Sequence, residues 1–566
     1  MDGAWNLKGG QGSERLLGEM NDIFDGQFLH NFKGRDGRQF GRQTEEGRYV
    51  FSLSIDFFNP FTNKQAGKSV SFGVISVVCL NIPASMRYKP ENMFLAGVIP
   101  GPKEPRLTLK HYLSPLVDEF LTFWDPGVQF SHTCKFPEGR LILCALILVI
   151  CDLLAARKTI GYVACSHEHF CNLCHCTRTG QGYGHTDCSA WARRTNEEWR
   201  NAAAEYQACR SEDEMTAKVD KTGVRWSELL RLPYFDISRC VVVDPMHNLF
   251  LGLIKEHFNG ILGINISKPK HEKPAIVINL GTPPSNLNPN DVKGIEKLKL
   301  WLEKPTSSIF HDKCSALKKL QRVNLPALEF ICNEIHCSVP LLPLPTEPRR
   351  SRHTKAELAE ALLEWRFRQP EMDVGSSTST VCGHVLLAEE VEEIRSDIDQ
   401  LLTPTWMTSV PSQIGSSSHG KLKADQWRAL GTTHLVLSLI RLWGFKEDGS
   451  PRSTRCREIL DVTISLISAI IIATSHTVTA ASATVYQKHM LNYINEIKRL
   501  FPDYRLHPNH HMSFHIPEFL LLFGPVHSWW TFPFERLIGS IQRMPSNGKI
   551  GKISFWNMPP YLKTER

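Results

Sequence analysis

Asp152 closes an unbroken apolar run, Leu141 to Cys151, and is followed by Arg157, Lys158 and the pair Cys171 and Cys174. A run so rich in Leu, Ile and Val predicts a strand buried on both faces. A carboxylate at the end of such a strand is costly unless a cation, a partner or solvent compensates it. Asp152 is therefore a candidate for one of three carboxylates in a metal-dependent, nuclease-like centre. A second acid lies in FSLSIDFF, where Phe51, Leu53 and Ile55 face one way and Ser52, Ser54 and Asp56 the other. That alternation predicts a half-exposed strand with Asp56 on its polar side. Cys171 and Cys174 have zinc-ligand spacing, and a closed tetrahedral site needs two more ligands. One completing set is distant, His511 and His515 on one face of a candidate helix. Another is local, drawn from Cys165, Cys176, His185 and Cys188. The third reading is free buried thiols and surface histidines.

The chain of 566 residues has room for more than one domain. Its hydrophobic fraction of 42% and charged fraction of 22% are those of a folded protein, which excludes wholesale disorder. A formal charge of +7 is compatible with a nucleic-acid partner without requiring one. Sixteen cysteines behind a start with no secretory pattern point to a reducing compartment. The run ending at Ile150 is too short to span a bilayer. The longer one, Asp461 to Thr484, carries scattered Ser, Thr and His and predicts a buried helix. No Walker A loop, HExxH or GxSxG element is present, so nucleotide hydrolysis and the common peptidase and lipase chemistries lack support.

The elements that must position these residues come in the order strand, strand, strand, helix, strand. Strands are expected at FSLSIDFF, Val70 to Leu80 and Met93 to Ile99, with turn residues at Asn59-Pro60 and Asn63 to Gly67. Leu109, Leu113, Leu116, Phe120 and Phe123 recur at helical spacing, and the strand that ends at Asp152 follows. A further apolar strand, Cys240 to Val243, ends at Asp244 and opens the helix-like MHNLFLGLIKEHF. From about residue 255 to 505 helical patterns dominate, as in Leu387, Val391, Ile394, Ile398 and Leu401. Pro- and Ser-rich linkers separate them at Pro340 to Arg352 and Met407 to Gly420.

Six stretches in this order resemble the CACTA (En/Spm) class of transposases, in particular those of fungal genomes. They are SIDFFNPFTNKQAGKSVSFGVISVVCLNIP, RYKPENMFLAGVIPGP, CDLLAARKTIGY with HFCNLC, VVVDPMHNLFLGLIK, HGKLKADQWRAL and GPVHSWWTFPFERLIGSIQ. The resemblance implies a DDE/D recombinase. Its fold would be an α/β, ribonuclease-H-like mixed sheet interrupted by a large, mainly helical insertion, with the strands of the first two acids side by side. It makes Asp56, Asp152 and Glu535 the catalytic ligands of Mg²⁺ (or Mn²⁺). It matches a DxxH element to Asp244 and His247, which would support the metal site from behind. Asp244 also reads as a helix N-cap, with Pro245 at the first helical position. Related recombinases join a Cys pair such as Cys171 and Cys174 to a His pair such as His511 and His515 around Zn²⁺. The family usually has Pro where Leu154 stands.

The expected organisation is a polar arm or truncated leader at 1–44, the first part of the catalytic core at 45–254 and the helical insertion at 255–505. The closing part of the core, with the third acid, follows at 506–545, and a tail at 546–566. The resemblance implies cleavage at transposon ends and strand transfer to target DNA, in the nucleus, by a homo-oligomer with no membrane and no small-molecule substrate. Arg157 and Lys158 would meet DNA phosphates near the cut. Arg349, Arg350, Arg352 and Lys355 form a basic run that suits phosphate, nuclear import or plain solvent. Trp529 and Trp530 are candidates for base stacking or for the core. The rival to the enzyme is a catalytically silent relic or a host-adopted DNA-binding or scaffold protein.

Overall fold

The computed structural model describes residues 18–41, 45–59, 71–105, 109–264, 276–284, 287–303, 313–337, 353–369, 385–416, 420–445 and 449–543. Strands β1 (Gly47–Phe58), β2 (Phe72–Cys79) and β3 (Met93–Ile99) form an antiparallel meander. Helix α1 (Leu109–Trp124) follows, then the short β4 (Val128–Phe130) and β5 (Arg140–Val149). The sheet is mixed and five-stranded in the order β3-β2-β1-β5-β4. The β1–β5 pair is parallel, with Ser52 opposite Leu148 and Leu53 opposite Val149. Carried three residues further, the same offset sets Asp56 beside Asp152, and Ile55 N–H donates to Cys151 Sγ at 3.2 Å in between. Parallel pairing is what brings both carboxyl ends, and both acids, to one edge.

Three sequence expectations shift here. β1 is not half-exposed: Ser52 and Ser54 are buried along with Leu53 and Ile55, because the sheet is covered on both faces. Cys240 to Val243 is no full strand. It reduces to a bridge between Val241 and Val149, held by Val149 N–H to Cys240 O at 2.8 Å, since it meets β5 at that strand's last residue. Residues 18–41, expected in a polar arm, pack Phe24, Phe28, Phe32 and Phe40 into the core, and Asp22 forms a buried ion pair with Arg87. Asn63 to Gly67, Arg349, Arg350 and Arg352 lie outside the described residues.

Helix α2 (Leu153–Thr159) starts directly after Asp152. Leu154 sits exposed at its second position, so the turn forms without the usual proline. Met246–Ile254 is helical as expected, but wound as a π-helix.

The chain divides into two compact units, one of residues 1–264 with 382–566 and one of residues 265–381. The second unit is built from α3 (Pro289–Leu302), α4 (Lys313–Gln321), α5 (Leu325–Glu334) and α6 (Lys355–Arg368). Its core is formed by Ile295, Leu298 and Leu302 with Leu328, Ile331, Leu358 and Leu362, apolar residues three and four apart on each helix. Residues 382–505, expected within the insertion, cluster instead with the sheet-bearing unit. They include α7 (Ala388–Gln400), α8 (Pro451–Ala473) and α9 (Ala480–Leu500). The apolar segment 461–484 is thus two helices: a turn at 474–479 breaks it and Thr479 caps the second. No described helix is long and apolar enough to cross a membrane. The unit closes with α10 (Pro508–Ser513), α11 (Ile516–Phe523) and α12 (Phe532–Gln542).

Candidate active site and metal cluster

Three elements deliver the acids. Asp56 projects from the last turn of pleat in β1, Asp152 caps α2 by accepting from Ala155 N–H at 2.6 Å, and Glu535 sits in the first turn of α12. The charges of Asp152 and Glu535 both reach Asp56. Burial, then the Glu535 and Asp152 charges, push the Asp56 carboxyl up to about 7. Glu535 is also held above its ordinary value, by burial and by Asp244 and Asp152, against the opposing pull of His247. Carboxylates that raise one another's pKa in this way are short of positive charge.

His247 supplies part of it. Its Nε2 lies 3.6 Å from Glu535 Oε1, and its Nδ1 2.7 Å from Asp244 Oδ2. Burial opposes protonation of this ring, but the Asp244 hydrogen bond and the charges of Asp244, Asp152 and Glu535 outweigh it and raise the pKa to about 9. Asp244 is a hub. It accepts from Met246 N–H at 3.3 Å and His247 N–H at 2.9 Å, which is the N-cap geometry expected from sequence. The same carboxylate also accepts from Thr531 N–H at 2.9 Å and Thr531 Oγ1–H at 2.7 Å. Thr531 O in turn accepts from Glu535 N–H at 3.0 Å, so Asp244 fixes the start of the helix that carries the third acid. Sequence reasoning missed Thr531. Its place just before FPFE marks a helix start, but nothing local ties it to an acid 287 positions away.

The basic pair after Asp152 splits in two. Arg157, expected at phosphates, is only 2% exposed and donates to the carbonyls of Val163, at 3.0 Å, and Phe170. This is a correction: its guanidinium is spent on the loop that leads to Cys171. Lys158 stays near the surface, paired with Glu104 and 5.1 Å from the ring of Phe57, next to Asp56. Trp529 is core, its indole N–H donating to Gly524 O at 2.9 Å, while Trp530 is half-buried.

Cys171, Cys174, His511 and His515 come together, all four buried, with ligand atoms within 4.8 Å of one another. Cys171 Sγ is 3.4 Å from His515 Nε2, Cys174 Sγ 3.3 Å from His511 Nε2, and the two Nε2 atoms are 3.2 Å apart. Zinc–sulfur and zinc–nitrogen bonds in a tetrahedron separate such ligand atoms by roughly 3.3–3.8 Å, so the cage has the right size. Burial lowers the His515 pKa to about 4, which keeps its ring neutral and able to ligate. Cys174 is pulled down by its hydrogen bond to Cys171, yet contact with Cys176 and burial together push it up to about 12. Without a cation it is a thiol, and metal binding would release its proton. Trp191 stacks on His511 at 4.3 Å, and Tyr162 Oη–H and Arg194 Nε–H both hold Cys171 O. Of the local alternatives, His185 Nδ1 accepts from Trp191 Nε1–H at 2.8 Å and Cys188 donates to Thr186 O at 3.5 Å, and neither joins the cage.

On comparison with known proteins, the part of the chain that carries the first two acids and the Cys pair is similar to transposases. Residues 21–217 match the family model described as transposase family tnp2. The match supports a transposase role and with it a DNA partner. It takes in Asp56, Asp152, Cys171 and Cys174 and ends before Asp244, His511, His515 and Glu535. No curated protein matches the chain.

Proposed function

We propose that this protein is a DDE/D-type DNA transposase, resembling the CACTA (En/Spm) class of fungal genomes, with a ribonuclease-H-like core and a helical insertion before the third acid. The observation that carries the reading is the meeting of Asp56, Asp152 and Glu535, from three distant parts of the chain, in one under-neutralised acidic centre. The donor set fits the cofactor: three carboxylates are hard oxygen ligands of the kind Mg²⁺ or Mn²⁺ takes. Bound there, such ions supply Lewis-acid chemistry for phosphodiester cleavage at transposon ends and transfer of the freed strand to target DNA. Asp56, Asp152 and Glu535 hold the ions. His247, fixed by Asp244, orients Glu535, and Thr531 anchors the start of its helix. Lys158 meets a backbone phosphate, and Zn²⁺ in the cage of two thiols and two imidazoles is structural, as its N/S donors and burial favour. Two transposon ends must be paired, which makes the working form a homo-oligomer, and DNA as substrate puts it in the nucleus.

The test is cleavage of labelled duplex DNA by the purified protein in Mg²⁺ or Mn²⁺, beside Asp152→Ala. Metal-dependent nicking that disappears in the variant supports the assignment. Intact DNA binding with no nicking by either protein would replace the enzyme with a DNA-binding scaffold.

A further inference from the structure

Helix α5 ends in a way that brings two thiols together. His336 adopts φ 52°, a left-handed conformation disfavoured for a residue with a Cβ. Around it, Cys337 N–H donates to Cys332 O at 2.9 Å and His336 N–H to Asn333 O at 3.2 Å. These two bonds form a Schellman closure, in which the side chains of the first acceptor and the last donor residue meet, usually as an apolar contact. Here both positions are Cys. The 2.9 Å bond limits their Cα atoms to about 6.8 Å apart, the separation within which disulfides form. The two side chains influence each other, which lowers the Cys337 pKa and raises that of Cys332. Cys332 is buried and also donates to Leu358 O at 3.7 Å, whereas Cys337 is half-buried and open to solvent.

We propose that Cys332 and Cys337 form a reversible disulfide, a redox site in the unit of residues 265–381. The oxidant is a small-molecule disulfide of the oxidised-glutathione class. The Cys337 thiolate attacks one of its sulfurs, the oxidant's S–S bond breaks and one thiolate leaves. Cys332 then attacks the Cys337 sulfur and the second thiolate leaves. Two protein thiols are oxidised, the oxidant is reduced to two small thiols, and the protons of Cys332 and Cys337 end on those thiols. The order follows from access: Cys337 is the thiol open to solvent and Cys332 is buried, and the influence of each on the other lowers the Cys337 pKa and raises that of Cys332.

Native full-length protein would be incubated with excess oxidised glutathione, blocked with a maleimide and digested with trypsin. The fragment from Val323 to Arg349 contains Cys332 and Cys337 and no other cysteine. The expected product is that fragment lighter by two hydrogens, unlabelled, and restored by dithiothreitol. In Cys337→Ser the same fragment should carry maleimide on Cys332 and never lose two hydrogens. Exposed Cys134 serves as the internal control. If Cys134 becomes glutathionylated while both thiols of the fragment take maleimide or glutathione separately, the proposal fails.

Discussion

The acidic centre and the Cys/His cage are assembled in the same way and surrounded differently. Each joins residues before position 175 to residues after 510, so each closes the same long excursion of the chain. The cage is sealed: all four ligands are buried and aromatic rings cover them. The acids are half-open, with Glu535 42% exposed, and they repel one another. A closed site that satisfies its metal stabilises the fold, whereas an open site with unbalanced charge keeps a position for substrate. Replacing a ligand side chain should therefore have opposite consequences for stability in the two places.

The largest expected effect is at the cage. Cys174→Ser, or prolonged chelation, removes the cross-link between the 171–174 loop and α10–α11 and leaves a polar hollow in the core. We expect a loss of more than about 4 kcal/mol in denaturant unfolding, with zinc content falling to zero. Unchanged stability and metal content would show that the four residues are only packed thiols and imidazoles. At the acidic centre the sign reverses. Asp56→Asn abolishes nicking yet stabilises the metal-free protein at pH 8. The Asp56 pKa is raised in the fold, so its contribution to stability is fully present below about pH 4 and is lost as pH rises through about 7. Allowing for solvent at a half-buried group, the gain in the variant is on the order of 2 kcal/mol.

The same carboxyl gives a pH profile. Between pH 5 and 7, Mg²⁺ or Mn²⁺ must displace a proton from Asp56, while His247, at about 9, stays charged. Log affinity, read from the metal-induced rise in Tm, should climb with a slope of about one per pH unit and flatten above pH 7. In Asp56→Asn the slope should vanish. A smaller effect belongs to Thr531→Val, which keeps the shape but loses the Oγ1–H bond to Asp244. Nicking should slow by roughly tenfold, about 1.4 kcal/mol, with DNA affinity unchanged. Equal losses in rate and in thermal stability would make Thr531 a fold residue only.

What could be read from the sequence follows from where each signal resides. β3 and α1 fall where apolar spacing puts them, Met93–Ile99 and Leu109–Trp124, because one short window holds the whole pattern. Asp152 was legible as an acid ending an apolar strand, Asp56 as an acid on the polar side of an alternating one, and the Cys pair by its spacing. The partners of those residues were not. Whether Cys171 and Cys174 close on distant or local ligands depends on tertiary contact, as does the bond from Thr531 to Asp244. The 18–41 segment misled for a related reason: its many polar and Gly residues conceal that Phe24, Phe28 and Phe32 recur four apart and all point inward.

Arg157 and Lys158 give the finest test of the difference between closed and open ground, because neighbours in sequence serve opposite sides of it. Arg157 binds carbonyls of the loop behind the cage, and nothing of its charge reaches solvent. Arg157→Ala should cost about 3 kcal/mol through buried carbonyls left without a donor, and should leave the salt dependence of DNA binding unchanged in whatever protein remains folded. Lys158 is paired with a partly exposed Glu104, a bond of small worth, and lies over the Phe57 ring beside Asp56, where it can exchange that carboxylate for a phosphate. Lys158→Ala should leave Tm within a degree or so of the parent and reduce the slope of log affinity against log salt by about one. If the salt slope falls for Arg157→Ala and not for Lys158→Ala, the phosphate path runs on the cage side of α2 and the open edge beside Asp56 is not where DNA lies.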